Sequence, residues 1–452
     1  MVPAVRGLLG ARAAGFAAAL LALACESSTA PETPVSLRIA PDSVVLLEFD
    51  TVTLKAVLLD SSGRRTGMRP VGWVSTDTSV ALALRDGRVV GDRVGEATVY
   101  AASERLYAPA RVRVVVRPTR ISVGRDPCLI TTRGSTYCGT ARLARVARPR
   151  ALAAISSGEN HACALDSSGV GWCWGSNGAG ELGDGTTISS DTAVAVQGGG
   201  RFLQISAGAS HTCGITRDLQ LLCWGSNQWG RLGTGDWTDR ATPTSVAGGA
   251  RWVTVGAGSE HTCALRDDGS AWCWGNASHG RLGNGVFQGI SNVPSAVLGA
   301  HAFASISAGS SHTCAVATDR AIWCWGMNWD GQLGTYTPEV CGSVDLHCST
   351  TPAQVAPWTA RTWKMVTASA NPGYGGYSCA LRADGGVFCW GSGGHLGDGG
   401  SNPSTEPVAV TGALRFASVT AGSSACGITT DGVAWCWGGT FGTSPARLPF
   451  QP

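Results

Sequence analysis

Charge is scarce in this chain. Asp, Glu, Lys and Arg make up 14% of its 452 residues, and lysine occurs only at Lys55 and Lys364. The net charge of +3 is small for the length, and the nearest approach to a basic run after the first dozen residues is Arg142, Arg145, Arg148 and Arg150. A nucleic-acid partner needs a dense basic stripe against its phosphates, so none is expected. Metal-binding signals are equally thin. The sequence has no Cys-x-x-Cys knuckle, no cluster of histidines and no loop of alternating acidic ligands closed by Glu. It has no GxxxxGK[ST] phosphate loop and no family signature around a Ser or Cys nucleophile. No cofactor, metal or catalytic residue is therefore expected, and the chain does not read as an enzyme. Beyond residue 25 no apolar run is long enough to cross a bilayer as a helix.

Glycine is abundant instead, at 63 residues, and the 17 tryptophans outnumber the 9 Phe and 6 Tyr. Many glycines, few charges and short apolar runs suit an all-β chain with tight turns. The most regular feature is a pair of cysteines ten positions apart. It occurs as Cys128 with Cys138, Cys163 with Cys173, Cys213 with Cys223, Cys263 with Cys273, Cys314 with Cys324, Cys379 with Cys389 and Cys426 with Cys436. Within most pairs an apolar doublet, a turn and a second apolar stretch follow one another, as in Cys263-Ala-Leu-Arg-Asp-Asp-Gly-Ser-Ala-Trp-Cys273. That pattern predicts a β-hairpin with one cysteine on each strand, facing across the ladder. A unit recurring about every fifty residues is in the range of propeller blades.

Cys341 and Cys348 make an eighth local couple, which leaves only Cys25 without a partner. Sixteen coupled cysteines point to disulfides and an oxidising compartment. The alternatives are metal sites or buried free thiols. Each disulfide would close a short loop, worth at most roughly 2.5 kcal/mol in the chain-entropy model. The N-terminus agrees with export. Arg6 and Arg12 precede the apolar run Ala13 to Ala24, which ends in Leu21-Ala22-Leu23-Ala24-Cys25. Residues 1–24 resemble a bacterial lipoprotein signal, which implies that Cys25 becomes the lipidated first residue. That family favours Leu where this chain has Ala22, and an ordinary secretory signal cut nearby is the alternative. Residues 25–33 read as a flexible tether. A lipid anchor at Cys25 is the only membrane attachment expected.

Residues 34–117 contain no cysteine and alternate strand with turn. The stretches Asp60-Ser-Ser-Gly63, Trp73-Val-Ser-Thr-Asp-Thr-Ser-Val-Ala81, Gly87-Arg-Val-Val-Gly91 and Gly95-Glu-Ala-Thr-Val99 resemble the group two bacterial immunoglobulin-like domains. The resemblance implies a small β-sandwich, with Trp73 in its core, acting as a surface spacer. In residues 118–452 several motifs recur in a fixed order. An opening strand ends in Ile/Val-x-x-Gly, as at Ile205 to Gly208, and the cysteine hairpin follows. Trp-Cys-Trp-Gly comes next, intact at residues 172–175, 272–275, 323–326 and 435–438, and then Gly-x-Leu-Gly at 180–183, 230–233, 280–283, 331–334 and 394–397. These motifs closely resemble the regulator-of-chromosome-condensation repeat in a cysteine-rich bacterial form, which implies a seven-bladed β-propeller. The first repeat lacks the Trp-Cys-Trp-Gly and Gly-x-Leu-Gly elements, and the last is clipped after Gly438. The terminal strand around residues 446–450 is expected to complete a blade begun near Ile121.

His161, His211, His261 and His312 each stand two residues before a hairpin cysteine. A group repeated in four blades reads as scaffold, bonding a neighbouring backbone group, rather than as a unique catalyst. The segments that vary between repeats are more informative. They carry Trp229, Trp237, Phe287, Trp329, Tyr336 and, in the sixth repeat, Tyr374. Such aromatics either pack over blade edges or form a rim that recognises a protein or carbohydrate. The sequence therefore reads as an all-β, exported, lipid-anchored or secreted envelope protein. In it, an immunoglobulin-like spacer carries a disulfide-stapled propeller that serves as a binding or adhesion scaffold. A structural envelope component without a soluble ligand, or a wall-polymer lyase or hydrolase, are the competing readings.

Overall fold

The computed structural model describes residues 33–67, 69–140, 144–147, 151–198, 200–342, 346–356, 362–369 and 376–449. The expected signal segment, most of the tether, Cys25 and Tyr374 lie outside the described residues.

The first part is a sandwich. One sheet takes its strands in the order Ser43–Leu47, Leu106–Val115, Gly95–Ser103 and Gly72–Ser75, with the first pair parallel. A second orders Thr51–Thr53, Arg88–Gly91 and Ala81–Ala83, and Ser36–Ala40 pairs with Lys55–Leu59. Alternation decides what is inside. On Gly95–Ser103 the residues Ala97, Val99 and Ala101 face the core, where they meet Ala110, Val112 and Val114. Trp73 is half-buried and packs at the margin of this core rather than at its centre. Its indole edge lies against Gly87, whose φ of +83° admits a backbone that a larger residue would resist.

From Pro118 to Arg447 the chain forms seven four-stranded sheets, each drawn from one consecutive stretch. Their opening strands are Pro118–Val123, Leu152–Ser157, Phe202–Ala207, Trp252–Ala257, Phe303–Ala308, Trp363–Ala368 and Phe416–Ala421. Within each sheet the second and third strands make the cysteine hairpin, with the two cysteines directly opposed, as in Cys263↔Cys273. The expected pairing holds throughout. Disulfides join Cys128 to Cys138, Cys163 to Cys173, Cys213 to Cys223 and Cys263 to Cys273. They likewise join Cys314 to Cys324, Cys379 to Cys389 and Cys426 to Cys436, and Cys341 to Cys348 outside the hairpins. In the seven hairpins the paired Cα atoms are 4.0–4.1 Å apart, the close spacing of a non-hydrogen-bonded pair. Cys223, Cys324, Cys389 and Cys436, on the third strands, are fully buried, so these bridges belong to the core between sheets.

Burial on both faces explains why Trp-Cys-Trp carries no polar side. Leu265, Ala271 and the Cys263–Cys273 pair of the fourth sheet share one cluster with Phe303, Ile306 and Trp325 of the fifth. The third packs on the fourth, and the fifth on the sixth, through equivalent residues. Each sheet thus supplies half of two cores.

Around the axis the sheets are also joined by backbone. Ala209 N donates to Gly258 O, Ser259 N to Gly309 O, and Ser310 N to Ser369 O, at 2.7–3.2 Å. Ser423 N donates to Gly124 O across the seam between the seventh and first sheets. This belt explains the Ile/Val-x-x-Gly motif. A Cβ at Gly258 would run into the carbonyl oxygen of Gly309.

The ring closes differently from the sequence expectation. The terminal strand, Ala446–Arg447, pairs with Ala434–Trp437 of its own sheet and not with the strand containing Ile121. Closure comes from packing: Leu448, Ile428 and Ala434 share a cluster with Val123, Leu129 and Tyr137. The first sheet also holds the sandwich. The buried Glu48 carboxylate accepts a hydrogen bond of 2.8 Å from the Tyr137 hydroxyl, and Arg145 lies 3.8 Å away. Burial and this carboxylate push the Tyr137 hydroxyl well above its ordinary pKa.

Candidate functional site

The loop from the third to the fourth strand does two jobs. Its constant part caps the next sheet. Gly-x-Leu-Gly of one repeat lies on the second tryptophan of the next, and at four of these junctions the backbone carbonyl of x accepts that indole N–H, whereas Trp437 under Gly397 makes no such bond. Thus Trp224 donates to Glu181 O, Trp274 to Arg231 O, Trp325 to Arg281 O and Trp390 to Gln332 O, at 2.9–3.1 Å. The same carbonyls accept the hydroxyls of Thr212, Thr262, Thr313 and Ser378. The leucines of the motif, from Leu182 to Leu396, are fully buried. Asn177, Asn227 and Asn328 brace the loop by accepting the N–H of Leu182, Leu232 and Leu333.

The repeated histidines belong to this joint. His161, His211 and His261 meet Thr212, Thr262 and Thr313 at 2.8 Å, and His312 meets Ser378 at 2.9 Å. The partner is the hydroxyl of the next sheet, not the backbone group expected from the sequence. Because each hydroxyl already gives its proton to a carbonyl, the imidazole Nε2–H must be the donor, and burial keeps the ring neutral. Burial holds His161 at a pKa of about 4 and His312 at about 3. His211 and His261 are depressed by burial as well, with Arg231 and Arg281 adding to the effect. Tyr377 takes the histidine position in the sixth sheet and donates to Gly422 O instead.

The variable part of the same loops faces solvent. All of them leave the ring on one side, because third strands run the same way in every sheet. Here lie Trp237, 57% exposed, Tyr336, 72% exposed, and the exposed Phe287 and Trp329. Trp329 stacks edge-on against His279, whose backbone N–H donates to Phe287 O, so the fourth and fifth sheets join their aromatics. Tyr336 packs on His347 beside the Cys341–Cys348 staple. Trp229 is half-buried, at a φ of +67°. Sequence reasoning missed the aliphatic members, Ile188, Ile290, Val293 and Val340, which are exposed in the same region. They share its variability, but an isolated Ile or Val carries no signal of its own. Together these residues form an apolar arc over the second to fifth sheets.

Over the first and seventh sheets the loops are short and the surface is hollow. A cavity of about 460 Å³ lies between the first and second sheets, lined by the Cys128–Cys138 pair, His161, Ala162 and Trp174. A neighbouring one of about 610 Å³ crosses the seam beside His395, Ser423 and Gly439, and both share Arg125 and Asp126. Among the described residues, the one group with metal-like spacing is Glu339 with Cys341 and Cys348. Those thiols are joined to each other, and the carboxylate is engaged by Thr350 N and Oγ1. No helix among the described residues is long and apolar enough to cross a membrane.

A ring of sheets, each latched to the next by a Gly-x-Leu-Gly cap, defines a repeat propeller. The RCC1-like domain model matches residues 130–443, and the chain belongs to that family. A group 2 bacterial Ig-like domain matches residues 35–109. Among solved structures, human WBSCR16 aligns with a TM-score of 0.59 at 19% identity, over 78% of this chain and 96% of that one. Prp20p from Saccharomyces cerevisiae, described with its binding properties to Gsp1p and histones, gives 0.56 at 21% identity over 66% of this chain and 76% of its own. Yeast RCC1 (Prp20) bound to Kap60 gives 0.55 at 21% identity, over 66% and 74%. At these identities the likeness concerns the fold. No curated protein matches the chain.

Proposed function

We propose that this protein is an exported scaffold, lipid-anchored through Cys25, whose propeller binds a protein partner through the loops between third and fourth strands. The observation that carries the reading is the apolar arc. Trp237, Phe287, Trp329 and Tyr336 stand exposed on one face of consecutive sheets, and large apolar side chains gathered on one exposed face mark interaction sites. Aromatics alone would suit a carbohydrate equally. The interleaved Ile188, Ile290 and Val340 favour a protein, because branched aliphatic groups offer a sugar ring no flat face to stack on. A yeast neighbour of this fold is described bound to a protein, Kap60. Eight disulfides fit an extracellular setting, and the Cys341–Cys348 bridge stiffens the loop that carries Tyr336, so that less entropy is lost on binding there. The sandwich, clamped to the first sheet through Glu48, sets the ring away from its anchor.

The test is capture from envelope material by the full chain, against the triple variant Trp237→Ala, Phe287→Ala, Trp329→Ala. Loss of a specific protein with an unchanged melt supports the reading, as Tyr374→Ala should on the sixth repeat. Equal capture by both proteins would refute it. Export is tested separately by fatty-acid labelling, which Cys25→Ala should abolish.

A further inference from the structure

The first repeat lacks the loop that caps its neighbour, and the surface this leaves bare has a defined shape. Its third and fourth strands are joined by Gly139 to Leu143, where the second sheet uses Ser176 to Ser189. In the third to seventh sheets the second tryptophan is fully buried beneath a Gly-x-Leu-Gly cap. Trp174, its equivalent in the second sheet, is 7% exposed, and its indole N–H has no acceptor among the described residues. The disulfides of the second to seventh sheets are sealed, whereas Cys138 is partly exposed. These are the surfaces that line the cavity of about 460 Å³.

What fits there is written elsewhere in the same molecule. At the next junction Leu182 fills the space between the Cys163–Cys173 disulfide and Trp224, while Glu181 O accepts the indole N–H. Gly183, at a φ of +68°, lies flat on the indole edge, where a Cβ would meet Trp224 Nε1. The uncapped junction presents an equivalent cystine and an equivalent indole, with its donor unused. We infer that it is a peptide-binding notch for a leucine-glycine turn supplied by another protein, which takes the place of the missing cap. The leucine enters against Cys128–Cys138, the preceding carbonyl accepts the Trp174 N–H, and the glycine rests on the ring. Ala162 replaces the threonine found at the next three junctions, so this notch offers the carbonyl one donor rather than two. The free side chains of Arg125, Asp126 and Glu159 stand at its edge and give the flanking residues of such a peptide charges of both signs.

The inference rests on the reading that the ring binds proteins, and its test uses a probe independent of the arc. The probe is a synthetic peptide spanning Asn227 to Asp236, which contains Gly-Arg-Leu-Gly. It is titrated into the full chain while the Trp174 indole N–H resonance is followed. Saturable binding that shifts this resonance is expected. Changing the peptide's leucine to alanine should weaken it about tenfold or more, by loss of a buried side chain. Trp174→Phe, which keeps a ring and removes the donor, should weaken it several-fold. No binding at millimolar peptide, or equal binding of the leucine and alanine peptides, would overturn the notch. Capture through the arc could still succeed in that case, so the two readings fail separately.

Discussion

Lowering the pH from 7.5 to 5.0 should destabilise this ring through its buried histidines. His161, His211, His261 and His312 are buried as neutral donors between consecutive sheets. In the unfolded chain a histidine titrates near 6.5. In the folded protein His161 titrates at about 4 and His312 at about 3, because burial disfavours the charged ring. Between those values and 6.5 the unfolded state binds more protons, so stability falls as the pH falls through this window and is unaffected above it. The linkage relation gives about 2 kcal/mol lost at pH 5 for each of these two groups, about 4 kcal/mol together. His211 and His261 act in the same direction. Asp236, Asp268 and Asp384 have lowered values set by hydrogen bonds, so their contribution is lost only below the ordinary carboxylate range. The assay is urea unfolding without reductant at both pH values, for the native chain and for His161→Gln/His312→Gln. Glutamine retains an N–H donor and removes the titration. The native chain should lose about 4 kcal/mol more than the variant between the two pH values. Equal losses, or a flat native profile, would refute the assignment of these rings as neutral joints.

Other outcomes follow from the same geometry. Gly258→Val should break the belt by driving a side chain into the Gly309 carbonyl, with a fall in stability of several kcal/mol, about 3 or more. Ser369→Gly, at the one described belt position that already carries a side chain, removes the Oγ that accepts the Tyr377 N–H, and chemical unfolding should register a loss of about 1–2 kcal/mol. Trp274→Phe removes the donor to Arg231 O and leaves a void under a buried cap, so guanidinium unfolding should register a loss of about 2 kcal/mol. Intact-mass analysis after alkylation without reductant should leave all sixteen paired cysteines unmodified, and uptake at several of them would contradict the oxidised hairpins.

The hairpins were legible because two signals agreed at each one: a cysteine spacing and a turn at its midpoint, as at Asp267-Asp268-Gly269. The order of the motifs likewise announced a ring of like sheets. What stayed hidden depends on neighbours fifty residues away. Nothing local to His211 says that it meets Thr262, and nothing local to Trp224 says that it donates to Glu181 O. Closure was misjudged for a related reason. Residues 446–450 are compatible with either edge, and the choice is made by Leu448 packing beside Val123 and Tyr137. In the arc, Trp237 and Tyr336 stood out by size, whereas Ile188 and Val340 became visible only by exposure. The missing motifs of the first repeat were plain in the sequence. Their consequence, a cavity lined by the edge of Trp174 and a partly exposed Cys138, required seeing what those motifs cover elsewhere.

Because no strand crosses the seam among the described residues, each stretch of about fifty residues carries a complete sheet of its own. Duplicating or deleting one such stretch changes the circumference of the ring without stranding half a sheet. A wheel latched by exchange of a terminal strand has no such freedom, since its two ends must stay matched. Growth by copying is therefore open to this architecture at any of its interior joints.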